Sequence, residues 1–314
     1  MRNGMISVMA MLCLAVVSTA GQQAAQPRTP WGDPDIQGTY TNTYENGTPF
    51  ERPEQFSGRK LSDITAQELV AMRKQIQERT IGAFQGPIHA PDHWWQDNLY
   101  LDRGSQAWLV IDPPDGKIPP LTAEAQKKTQ ARAAARKASG RGPADSYEDR
   151  SLYDRCITRG LPGSMMPAIY GNQYEIIQAP GYVAILYEMI HETRVIPLDG
   201  RAHVRGSIHN DMGDARGRWD GDTLVVESAG FRDESAYRQA NGATLKLTER
   251  FTRIAKDKVR WAVTVDDPMT WTRPWTFSLP LTADDNPVPS YECHEGNYGL
   301  KNILSAARAE ENGR

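Results

Sequence analysis

Arg273 stands between Trp271 and Trp275 at two-residue spacing, in a stretch (270–281) whose following alternate positions are Phe277, Leu279 and Leu281. If that stretch is one strand, alternate residues share a face and the guanidinium points into the core. A lone buried ion costs several kcal/mol, so Arg273 needs a partner, a bound anion or an opening to solvent. Two flanking indoles could also hold it by cation–π contact. Glu249 poses the same problem, on a row with Leu245, Leu247 and Phe251. Two readings stay open. Glu249 and Arg273 form a structural ion pair, or Arg273 clamps a carboxylate or phenolate while Trp261, Trp271 and Trp275 form an aromatic wall for a ring-shaped substrate.

Proton chemistry has three further candidates. His191 continues the apolar alternation Val183, Ile185, Tyr187, Met189, with Glu188 on the opposite face. It is either a satisfied core histidine or a general base whose ordinary pKa suits neutral pH. In Tyr291–Glu295, Glu292 and His294 share a face if the segment is extended, and would make an acid/base dyad. The same pair could ligate a metal, but no third ligand is fixed by spacing, and no metal is expected. His89 and His93 are four apart with Pro91 between them, which reads as a loop rather than a zinc-binding helix face. Gly163-Ser164-Met165 lacks the closing glycine of a nucleophile elbow, and Gly213–Trp219 is not followed by a helix, so it is no phosphate loop. No organic cofactor is expected.

These side chains need a β scaffold to position them. The runs 173–179, 181–190, 193–198, 217–219, 223–228, 245–254, 259–266 and 270–281 read as strands joined by short turns such as Pro180-Gly181 and Asp220-Gly221. Short connections imply antiparallel neighbours. The expected fold is mainly β, an antiparallel meander closing into a lipocalin-like barrel. Helices opened by the capping box Thr65–Glu68 and by Thr122 wrap outside it, together with a third short helix at Tyr147–Cys156, and a short helix near Leu300–Glu310 ends the chain. A strand over Gln37–Tyr44, an Asn46-Gly47 hairpin and a short strand at Ala107–Ile111 complete the reading. The chain divides into 1–20, 21–36 (flexible leader), 37–168 (helical and loop wrapping) and 169–314 (barrel and C-terminal helix), the last two forming one unit.

Residues 1–20 match a secretory signal: Arg2, the apolar run Met5–Val17, then Ser18-Thr19-Ala20. That run is too short for a membrane span, and no later segment is apolar enough. Removing residues 1–20, whose one charge is Arg2, takes the formal charge from −3 to −4. Mild acidity argues against a nucleic-acid partner. Two cysteines survive export, Cys156 and Cys293, and in an oxidising compartment they are expected to form a disulfide. Glu292 and Glu295 beside Cys293 disfavour a reactive thiolate. Periplasmic or secreted localisation follows.

Several phrases resemble those of a large group of exported proteins from soil bacteria. They are Trp31–Gly38, Asp112–Pro120, Ile196–Arg201, Gly213–Glu227, Asp266–Trp275 and Tyr291–Leu300. The resemblance spans nearly all of the chain after residue 20. It implies export and a single unit and brings no catalytic assignment. The functional expectation is an exported, cofactor-independent enzyme of lyase or hydrolase type. His191 or His294 would move a proton, Glu292 would orient it, and Arg273 would hold a small anionic aromatic or sugar-like substrate. The alternative is a non-catalytic barrel carrying a small apolar or aromatic ligand.

Overall fold

The computed structural model describes residues 26–83, 104–204 and 206–313. The expected signal at 1–20 and the His89–His93 loop lie outside the described residues. Ten strands form one antiparallel sheet: β1 (Gly38–Thr41), β2 (Val110–Asp112), β3 (Gln173–Ala179), β4 (Tyr182–Tyr187), β5 (Thr193–Pro197), β6 (Asp214–Asp220), β7 (Thr223–Ala229), β8 (Lys246–Ala255), β9 (Lys258–Asp266) and β10 (Trp275–Ala283). The order is β5-β4-β3-β1-β10-β9-β8-β7-β6, with β2 added to β10. The expected meander is therefore two meanders, β3–β5 and β6–β10, which β1 joins by pairing with both β3 and β10.

The sheet curls into a nearly closed barrel. β5 and β6 meet at a seam that side chains close without a hydrogen-bonded ladder. Gly217 on β6 makes the approach possible, because a Cβ there would sit 2.5 Å from a Leu198 methyl and 2.8 Å from an Ile196 methyl. Alternation along each strand fills the inside. Val183, Ile185 and Tyr187 of β4, Leu247, Glu249 and Phe251 of β8, Val259, Trp261, Val263 and Val265 of β9, and Trp275, Phe277, Leu279 and Leu281 of β10 are all fully buried. Trp261 meets Phe277 edge-on at 5.6 Å between centroids.

Outside the barrel lie α1 (Ala66–Ala83) and α2 (Ala123–Ala138), and α3 (Tyr298–Asn312) ends the chain. The capping box forms as read: Thr65 Oγ1 accepts from the Glu68 amide at 3.2 Å, and Glu68 Oε2 accepts from the Thr65 amide at 2.9 Å. Thr122 caps α2 by accepting from the Ala125 amide at 3.1 Å. α1 packs Met72 and Ile76 against Phe56, Ala107 and Trp108, a small core separate from the barrel's. Arg73 also reaches inward from α1, where its guanidinium lies 3.7 Å from buried Glu45 and near the Gln106 carbonyl. Gly104 leaves room for it, since a Cβ there would overlap the guanidinium.

Three local expectations differ. Asn46-Gly47 makes no hairpin, because a 3-10 turn over Thr43–Glu45 ends β1. Tyr147–Cys156 is a 3-10 turn at Tyr147–Asp149 followed by further turns rather than a helix. Residues 26–36 pack on the barrel instead of hanging free: Ile36 is fully buried, and Gln178 accepts from its amide at 2.8 Å while donating to the Pro34 carbonyl at 3.0 Å.

Candidate functional site

The residues that promised chemistry are scattered. Arg273 is exposed, with half its side chain in solvent and Asp112, also exposed, 3.2 Å away. The reason is Pro274. It has no amide hydrogen for a ladder, and β10 begins only at Trp275. The alternation drawn from Trp271 through Arg273 thus crosses a turn, and the guanidinium leaves the core. Trp271 is nevertheless buried, bridging Leu121 and meeting Trp275 edge-on at 5.6 Å.

Glu249 does face inward, with an arginine other than the one expected. Arg194 of β5 reaches across the barrel and pairs with both carboxylate oxygens, at 2.5 and 3.1 Å. The Trp261 indole N–H donates to the same carboxylate at 3.1 Å, and Ser228 lies 3.5 Å from Arg194. Burial works to lower the pKa of Arg194, but Glu249 and neighbouring Tyr187 outweigh it and hold the guanidinium above its ordinary value. Tyr187, fully buried, is raised by desolvation, with Arg194 opposing. Trp261 and Glu249 are thus joined to Arg194 in a buried ionic network inside the barrel.

His191 is exposed too. β4 stops at Tyr187, and the chain turns through Ile190 and His191 with φ of +60° and +57°, so the row of Val183, Ile185 and Tyr187 ends before reaching the imidazole. Tyr291–Glu295 is a turn rather than extended backbone, and Glu292 and His294 are both exposed. The Glu292 carboxylate accepts from Ser290. Among the described residues, neither His191 nor His294 makes a side-chain hydrogen bond or ion pair. Among the described residues, His203 does hold a carboxylate, its Nδ1 lying 3.0 Å from Asp214. Asp214 also accepts from the Val204 amide and pairs with Arg216, so that group fastens an exposed loop along β6.

The disulfide forms as expected, with Cys156 and Cys293 joined and their Cα atoms 5.8 Å apart. It builds a cleft of about 390 Å³ between the 153–156 turn, Tyr170, the 290–297 turn and the first turns of α3. Three tyrosines dominate it. The Tyr153 and Tyr170 hydroxyls lie 2.7 Å apart in a hydrogen bond, and the Tyr170 ring lies nearly parallel to Tyr291, 6.4 Å between centroids at 14°. The Arg159 guanidinium backs Tyr153 at 5.6 Å from the ring centroid. Asn297 ties the two sides together: its amide nitrogen donates to the Asp154 carbonyl at 2.8 Å, and its oxygen caps α3 through the Leu300 amide at 3.0 Å.

The charged side chains lining this cleft are acidic, with Arg150 paired to Asp154 at 3.1 Å and Arg159 behind Tyr153. Asp154 and Glu292 line it, and no Lys, Arg or His does. Burial raises the Tyr153 phenol well above its ordinary value, reinforced by its hydrogen bond with Tyr170. Burial also raises Tyr291, against an opposing hydrogen bond from Tyr153. The Tyr153 and Tyr291 phenols therefore stay protonated at neutral pH, so they serve as donors and ring surfaces, not as bases. Of the expected residues, the cleft gathers Glu292, Cys156 and Cys293 and leaves out His294. Tyr153, Tyr170 and Tyr291 are additions. The cysteine pairing held the signal for Tyr153, because a Cys156–Cys293 bond brings Tyr153 and Tyr291, three and two residues upstream, to the same place.

No group of three or more His, Cys, Asp or Glu side chains among the described residues could hold a metal ion. No helix among them is long and apolar enough to cross a membrane. No family model matches the chain, and no curated protein matches it. Among solved structures, a secretary abundant heat soluble (SAHS) protein from Ramazzottius varieornatus is similar over 43% of this chain and 87% of its own, at 12% identity and a TM-score of 0.25. At that level of likeness, no part of the site's chemistry rests on it.

Proposed function

We propose that this chain is an exported, non-catalytic binding protein for a small, neutral, sugar-like ring, held in the cleft of Tyr153, Tyr170 and Tyr291. The observation that carries the reading is the lining itself. Phenol donors, paired ring faces and two carboxylate acceptors surround about 390 Å³ with no cation among them. That volume falls within the range of small-molecule sites. Aromatic faces take the apolar C–H side of a sugar ring, while carboxylates and phenols take its hydroxyls. An anionic substrate would meet Glu292, whose partner is the neutral Ser290, and be repelled; Asp154 is offset by Arg150 at 3.1 Å. A lyase or hydrolase would need a positioned base, and the nearest carboxylate candidate, Glu292, has Ser290 rather than a histidine as its partner. Export is supported by the disulfide and by the signal-like residues 1–20.

The test is a titration of the exported chain with a panel of neutral mono- and disaccharides, read by calorimetry on wild type and Tyr170→Ala. Tyr170 is partly exposed, so its truncation leaves the barrel core untouched. The expectation is that at least one sugar binds and that Tyr170→Ala weakens it tenfold or more. Unchanged affinity in the variant, or no sugar bound at 20 mM (a roughly millimolar-or-weaker ceiling), would contradict the proposal.

A further inference from the structure

A second cleft, of about 230 Å³, lies between α2 and the segments around 238–241 and 269–270. Its charge is opposite to that of the tyrosine cleft. Lys128 and Arg132 enter from α2, Arg238 enters from the opposite wall, and Glu124 is the one acid in the lining. Lys128 has Asp233 at 3.5 Å. Among the described residues, Arg132 and Arg238 have no ion pair; Arg238 has a side-chain hydrogen bond with the Tyr237 hydroxyl, and Arg132 acts on Asp233 through charge alone.

Arg238 is held in place by its surroundings. Its guanidinium sits over the Phe50 ring at 4.6 Å and near the Tyr237 ring at 5.5 Å. The backbone beneath it is unusual. Arg238 and Gln239 are consecutive and both left-handed, with φ of +52° and +63°. Non-glycine residues rarely adopt that region, and a pair of them persists only where the surroundings over-determine it. The result is a planar donor fork shelved on aromatic rings and aimed at a cleft whose far wall is cationic. Gln239, Asn241 and Thr270 add polar groups around it.

We infer that this cleft is a binding site for a small organic oxyanion, a carboxylate or a phosphate monoester, taken by Arg238 with Arg132 and Lys128 opposite. A guanidinium matches the two-oxygen edge of either group, and its fixed orientation reduces the ordering cost on binding. The site is separate from the tyrosine cleft and does not depend on the sugar reading.

The test uses the full chain labelled with nitrogen-15 and titrated with benzoate, phenyl phosphate and, as a neutral control, benzyl alcohol. Benzoate or phenyl phosphate is expected to shift the amides of Gln239, Asn241 and Thr270 at concentrations where benzyl alcohol does not. The tighter of the two identifies the anion class. Arg238→Asn keeps a residue that tolerates the left-handed backbone and is expected to weaken binding at least tenfold. Arg132→Gln, on the exposed face of α2, is expected to weaken it about threefold without touching the fold, in keeping with an exposed charge contact. Equal binding of the neutral control, shifts confined to other residues, or affinities within twofold of wild type in both variants would overturn the inference.

Discussion

Replacing Glu249 with leucine isolates the interaction at the centre of the barrel. The substitution leaves Arg194, fully buried, without its anion, and takes the acceptor from the Trp261 indole. Breaking a buried pair from one side costs about 3–5 kcal/mol. An orphaned buried donor adds about 1–3 kcal/mol. Glu249→Leu should therefore lose about 4–8 kcal/mol, enough to threaten folding in a protein of ordinary stability. The companion variant Arg194→Met/Glu249→Leu removes both charges, and hydrophobic replacement of a whole buried pair is often neutral or better. It should regain at least half of the loss, keeping a deficit from Trp261. Urea unfolding followed by tryptophan fluorescence, with the disulfide intact and coincidence with circular dichroism checked, gives the three free energies. A single-variant cost under about 1 kcal/mol would mean the carboxylate is not sealed inside as described. A double variant more damaged than Glu249→Leu alone would mean the charges do not act as a pair.

Further consequences are open to measurement. The disulfide closes a loop of 137 residues, for which the chain-entropy relation gives about 5 kcal/mol; Cys156→Ala/Cys293→Ala should lower the urea midpoint sharply, and an unmoved midpoint would remove the staple from the account. Glu192 is half-buried, accepting from Thr158 at 3.0 Å and Ser164 at 3.3 Å, and burial raises its pKa above the ordinary carboxylate value. A raised folded-state pKa gives stability that is fully present below the unfolded value and is lost as pH rises through the folded value. Glu192→Gln should therefore gain on wild type as pH rises from about 4 to 7, and a pH-independent difference in unfolding free energy would refute that sign.

Much of the barrel is legible in the sequence because strand alternation is a local property. The rows Leu247–Glu249–Phe251 and Val259–Trp261–Val263–Val265 face inward as the two-residue period requires, and the Asp220-Gly221 and Pro180-Gly181 turns join the strand pairs they flank. The partner of Glu249 was within reach of the same reasoning. Arg194 alternates with Ile196 on β5, and both are buried. Which charged inward residue meets which depends on the strand order, and a sequence read strand by strand does not contain it. β1 sits between β3 and β10, a pairing across more than 130 positions that no turn announces. Arg273 and His191 both lie outside the strands whose alternation points to them. The two-residue period holds only within a strand, and β10 begins after Pro274 while β4 ends at Tyr187. The tyrosine cleft is assembled by loops around a disulfide, where periodicity says nothing and the covalent bond is the main positional clue.

The most direct measurement is the electron density of crystals soaked in the tightest-binding sugar from the panel. A ring is expected against Tyr170 and Tyr291, with hydroxyls toward Tyr153, Asp154 and Glu292. A sugar found inside the barrel beside Arg194, or anywhere away from the three tyrosines, would contradict it.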